Sequence, residues 1–266
     1  MARRVAYLAV VVGVAITLTG CAFSFFGYER RAAWHDQEER ACMLAREVPL
    51  TAWVQPARKI DEHGACGVFR PLKVSAIAGG RVSIGPTATL NCPMTAAVER
   101  WLNEAVQPAA LAWFGVPVVE IRQISSYYCR PRNNEAGEKL SEHSYGNALD
   151  VAAFRFADGR TVTIKTDWDG DPYAQGFLRE TIAAACSRFK TVLGPGVKYH
   201  GDHFHLDLAR HNEAGTSRYC RPTFDMAALP RGPYRGIDGG AAVARSGGGL
   251  VDFRQTGSIG ALVAGD

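Results

Sequence analysis

The chain has 266 residues, 47% of them hydrophobic and 21% charged, which allows one or two globular domains with an ordinary core. Its formal net charge of +4 is mild and its Lys and Arg residues are scattered, which argues against nucleic acid as a partner. Four of its seven histidines fall in two short segments, and those segments carry most of what the sequence says about chemistry.

At the N-terminus, Arg3 and Arg4 precede an apolar run that starts at Val5, the pattern of an export signal. Leu18-Thr-Gly-Cys21 resembles a bacterial lipobox, which would make Cys21 a lipidation site. Phe23, Phe25 and Phe26 extend the run far enough to span a bilayer, so an uncleaved transmembrane helix is the alternative. Residues 1–27 are thus expected to be a signal peptide or membrane anchor. In either case the rest of the chain lies on the periplasmic side of the envelope, tethered to the membrane. The six remaining cysteines, Cys42, Cys66, Cys92, Cys129, Cys186 and Cys220, have no Cys-x-x-Cys spacing and read as up to three disulfides.

Residues 28–57 are charged and helix-prone and suggest a juxtamembrane stalk, with His35 as an ordinary surface residue, like His63. A compact domain is expected over 58–231. Within it, Leu72–Ile77 and Arg81–Ile84 form a hairpin around Ala78-Gly-Gly80. Thr89 to Phe114 is helical by its three- and four-residue apolar steps, with a break or kink at Pro108. A strand starts at Pro117 and runs toward Arg130. Ala148–Phe154 and Thr161–Ile164 form a second hairpin, Gln175–Leu193 a second helix, and Tyr199–Leu208 a last strand. That order predicts an α+β fold with an antiparallel sheet flanked by helices. Residues 232–266, rich in Gly and Ala, read as a disordered tail.

The chemistry sits in Ser141-x-His143-x-x-Gly146-x-Ala148-x-Asp150 and His200-x-Asp202-His203-x-His205. Asp150 lies between Leu149 and Val151, and burying a carboxylate there is costly unless a cation offsets it. His203 and His205 are two residues apart and share one face of a strand. Two imidazoles and one carboxylate suit Zn²⁺ with an open fourth position. Asp202, three residues ahead of His205, could also reach the ion.

These two segments resemble the two signatures of the zinc peptidases that include D-alanyl-D-alanine carboxypeptidases, murein endopeptidases and the hedgehog N-terminal domain. Together with Cys92-Pro-Met and Ser126-Tyr-Tyr-Cys-Arg130, they more closely resemble bacterial extensin-like C-terminal domain proteins, over about residues 60–225. The resemblance implies a D-Ala-D-Ala peptidase-like fold, with zinc ligands at His143, Asp150 and His205. It further implies a zinc-dependent peptidase that hydrolyses peptidoglycan peptide bonds. Many such peptidases place a general-base Glu before a Trp and the last His. This chain has none there, so His203, or Asp202 as runner-up, is the expected base. Arg130, with Arg132 as second choice, is expected to bind a substrate carboxylate or stabilise the oxyanion. His200 is expected to support the ligands through hydrogen bonds, and Ser141 to fix the loop beside them. The missing Glu leaves a second reading open, a non-catalytic, metal-containing wall-binding module.

Overall fold

A computed structural model describes residues 31–62, 64–221 and 232–234, with short backbone stretches at 245–246 and 249–250. The expected anchor, Cys21 and His63 lie outside the described residues. Among those described, no helix is long and apolar enough to cross a membrane.

Helix α1 is Ala33–Leu44. Strands β1 (Val54–Pro56), β2 (Ile60–Asp61), β3 (Gly67–Val68), β4 (Leu72–Ile77) and β5 (Val82–Leu90) follow. The β4/β5 hairpin forms as expected, with Ile77 opposite Val82 and a turn that holds Ala78, Gly79 and Gly80 at positive φ. Asn91 then caps helix α2 (Cys92–Trp101), its side chain accepting the Met94 amide. Helical backbone continues through a π-helical stretch, Leu102–Val106, into α3 (Gln107–Phe114). Pro108 therefore does not end the helix. It sits in the first turn of α3, where its missing N–H costs least, behind a stretch already bonded at i→i+5.

Strand β6 is Val118–Ser125, β7 Ala148–Phe156 and β8 Thr161–Thr163. The short α4 (Ile164–Asp167) leads to α5 (Pro172–Ala185), then β9 (Thr191–Leu193), β10 (Phe204–Asp207) and β11 (Tyr219–Cys220). The expected helix over Gln175–Leu193 thus stops at Ala185, and Thr191–Leu193, two of the three β-branched, pairs with β10 instead. The last strand is also shorter than expected. His203 lies in the bend before it.

Strands β2 and β3 pair with each other, and the other nine form one sheet in the order β1-β4-β5-β6-β7-β10-β9-β11, with β8 hydrogen-bonded to β7. It is mostly antiparallel, and the fold is α+β. Two pairs are parallel, β5/β6 and β9/β11. The first has α2 and α3 as its crossover, as a parallel connection requires.

Residue parity decides what faces the helices. Leu149 and Val151 of β7 and Phe204 and Leu206 of β10 are fully buried in the core. The β6/β7 register moves from Arg122–Ala153 to Gln123–Val151, so it skips Ala152, a bulge that reverses parity along β7. Phe154 and Phe156 therefore join the same core, against Trp101 and Phe177. Gly176 lets α5 approach α3 closely, since a Cβ there would lie 2.1 Å from Trp113. Asp150, His205 and Asp207 are left on the opposite face.

Helix α1 is not a separate stalk, and the boundary expected at 57/58 is absent; the compact unit begins at Arg31. Cys42 is disulfide-bonded to Cys92 at the start of α2. Glu39, fully buried, accepts the backbone amides of Phe69 and Arg70. His35 is buried, not exposed, stacked on Trp34 and packed against Tyr145. Cys66–Cys129 and Cys186–Cys220 complete three disulfides, which suit an extracellular or periplasmic location. Of the expected tail, Tyr234 hydrogen-bonds the Ala112 carbonyl at the end of α3.

Candidate metal centre

The first segment folds into a 3₁₀ turn, Glu142–Tyr145. The Ser141 hydroxyl accepts the His143 amide at its start, and Gly146 ends it at φ 61°. A Cβ at Gly146 would lie 2.9 Å from Val68 and 3.1 Å from the Asn91 nitrogen, so only glycine fits. Below the turn, Asn147 donates to Glu142 at 2.7 Å and accepts from Asn91 at 3.0 Å. This buried network ties the turn to the cap of α2.

The turn delivers His143 to β7, while strand pairing delivers the rest. Asp150 and His205 are direct partners in the β7/β10 ladder, which brings residues 55 apart into contact. His143 Nε2 lies 3.1 Å from Asp150 Oδ2 and 3.3 Å from His205 Nδ1, and His205 Nδ1 lies 2.8 Å from Asp150 Oδ1. All three residues are buried, and they form the one group among the described residues whose ligand atoms lie within 4.8 Å of one another. The three residues that the resemblance implies as ligands therefore lie together in space.

The outer nitrogens show how the inner ones are prepared. His143 Nδ1 meets the Ser126 carbonyl at 2.6 Å, and His205 Nε2 meets Asp207 Oδ2 at 2.9 Å. Both partners only accept, so both outer nitrogens carry the proton. In the neutral rings, His143 Nε2 and His205 Nδ1 then face each other as lone pairs, beside a carboxylate. That donor set calls for a cation, and the anchored outer nitrogens are the usual support of a metal-bound imidazole.

The charges agree. Burial alone would raise the Asp150 carboxyl, but His143 and His205 hold it well below the usual carboxylate range. Burial would lower His205, yet hydrogen bonds to Asp150 and Asp207 push it up to about 10. Without a metal, a proton held between those two carboxylates supplies the positive charge.

The site opens into a cavity of ≈ 710 Å³, within the usual size of a ligand pocket. Arg130, Arg132, Ser141, His200 and His203 all contribute to its wall. His203 Nδ1 pairs with Asp202 Oδ1 at 2.8 Å, and His203 Nε2 lies 3.9 Å from Asp150 Oδ1. His200 pairs with the Lys198 carbonyl rather than with a ligand, its ring centroid 5.8 Å from that of His205. Arg130 is half-buried, near the face of Tyr128. Asp202 is exposed, and its contact with the site runs through His203.

Two residues of the site escaped the sequence reading. Asp207, which anchors His205, could have been found from its position two residues along the same strand face. Glu142 lines the cavity next to His143, and burial, followed by the nearby Asp207 charge, pushes its carboxyl up to about 8. Its place in the sequence does not reveal that shift.

No curated protein and no solved structure matches the chain. The family model for the extensin-like protein C-terminus matches residues 40–221, well over half of the chain and including every residue of this centre. The chain belongs to the extensin-like C-terminal family.

Proposed function

We propose that this protein is a zinc-dependent peptidase, related to the D-Ala-D-Ala carboxypeptidase and murein endopeptidase group, that hydrolyses peptide bonds of peptidoglycan. The supporting observation is the convergence of His143, Asp150 and His205, the last two of which line a cavity whose wall also carries Arg130 and Arg132. These residues would hold Zn²⁺, whose donors are imidazole nitrogens and carboxylate oxygens. Bound there, the ion supplies a polarised carbonyl and a more acidic water.

The chain's own residues do the rest. His203, oriented by Asp202, presents Nε2 beside Asp150 and takes the proton of the attacking water, then returns it to the leaving amine. Arg130, backed by Arg132, offers a guanidinium to a substrate carboxylate or to the oxyanion. The apolar run at residues 5–26 would anchor the protein to the membrane, on the periplasmic side that the disulfides favour.

The test is to incubate zinc-loaded protein with muropeptides and measure new amine termini, with His205→Ala as control. Cleavage that depends on His205 is expected. Stoichiometric zinc without cleavage of any muropeptide would refute catalysis and leave the wall-binding module.

A further inference from the structure

Two loops bring their side chains to the same cavity from distant parts of the chain. The first runs from Pro131 to Leu140, which bridge at its base, and carries Arg132 and Glu135. The second joins β9 to β10 and carries Lys198, Tyr199, His200 and His203. Glu135 and Tyr199 are exposed yet line the cavity, which places them at its rim. There Tyr199 Oη donates to Glu135 Oε1 at 3.0 Å, joining positions 64 apart.

Both loops are shaped for this contact. Tyr199 holds φ at 69°, in the left-handed region that a bulky side chain rarely adopts. Strain of that kind persists where the surroundings impose it, and ligand clamps are one such place. Lys198 Nζ lies over the Tyr199 ring, 4.5 Å from its centroid. On the other side, Asn133 and Asn134 turn the chain at φ 55° and 58° directly before Glu135. Asparagine visits that region more readily than most residues.

We propose that the Tyr199–Glu135 contact straps the two loops together and makes this pair a determinant of specificity. The inference rests on the peptidase reading. An open cleft can receive a peptide anywhere along its length. A cleft whose rims are tied receives a strand that can be threaded, one with a free end. The strapped protein therefore trims single stem peptides in preference to cutting peptides cross-linked at both ends. Arg130 and Arg132 line the same cavity and suit the carboxylate that a free end carries.

The whole zinc-loaded protein is given monomeric and cross-linked muropeptides in parallel, and the two cleavage rates are compared. The native protein is expected to favour the monomer. Losing one hydrogen bond shifts an equilibrium about two- to tenfold. Tyr199→Phe and Glu135→Ala should each raise the dimer-to-monomer ratio by that factor, while Glu135→Gln, which keeps an acceptor, stays at the native ratio. A ratio unmoved in both Tyr199→Phe and Glu135→Ala, or a native protein that cuts both substrates equally, overturns the proposal. Amide hydrogen exchange reads the strap without any activity. Residues 132–139 should exchange faster in Tyr199→Phe, although the substitution lies in the other loop, and unchanged exchange there also overturns the strap. Failure to cleave any muropeptide refutes the peptidase reading, and the exchange measurement still decides whether the loops are tied.

Discussion

Asp207→Asn is the sharpest probe of the proposed metal centre. Asp207 uses both carboxylate oxygens: Oδ2 accepts from His205 Nε2 at 2.9 Å, and Oδ1 accepts the Ala209 amide at 3.0 Å. Asparagine has nearly the same shape but only one acceptor. If its oxygen stays on the Ala209 amide, its NH₂ group faces His205 Nε2, which must then give up its proton. The proton moves to Nδ1, the atom aimed at Asp150 and the metal, and the ligand is lost. If the side chain flips, His205 keeps its tautomer, but the Ala209 amide loses its acceptor. Loss of such an anchoring partner typically lowers metal affinity 10–100-fold, or about 1.4–2.7 kcal/mol. Competition with a chromophoric chelator measures that change, and the melting temperature of the metal-free variant shows whether the fold is intact. A folded Asp207→Asn protein that binds zinc as tightly as the native chain would refute the tautomer argument.

Gly146→Ala should destabilise the protein by at least about 1–2 kcal/mol, because its φ of 61° is left-handed and the new Cβ meets Val68 and Asn91; urea denaturation checks this. Cys42→Ser opens a link between residues 50 apart, and the loop-entropy model predicts a loss of about 4 kcal/mol, read from denaturation under oxidising conditions. Acid should loosen the packing of α1. Burial, and then the Arg31 and Arg210 cations, lower His35 to about 3, against an ordinary value of 6.5. A folded value below the unfolded one means the stability is present above pH 6.5 and is lost as pH falls from there toward 3. His35→Phe should flatten that part of the stability curve, and an unchanged slope would show that His35 is not the titrating group.

Local elements were legible where the pattern was local. The β4/β5 hairpin follows from Ala78-Gly79-Gly80, and the helical run from 92 to 114 from its apolar steps. The helix expected to continue to Leu193 illustrates the opposite case. Short apolar stretches suit either period, and pairing with β10 decided for strand. Helix α1 was misread because its charge suggested solvent. Glu39 is nonetheless buried, its carboxylate accepting two backbone amides from residues some thirty positions away.

The sequence by itself supplied the candidate donors of the proposed site. Two histidines and an aspartate beside a turn-permitting glycine carry their ligand character in their side chains, wherever the chain folds. Tertiary structure alone decided which nitrogen of each ring faces Asp150, that Asp207 and the Ser126 carbonyl meet the other nitrogen, and that the Glu142 carboxyl is shifted upward. Proton placement and desolvation depend on neighbours that strand register and burial bring together, and those neighbours are distant along the chain.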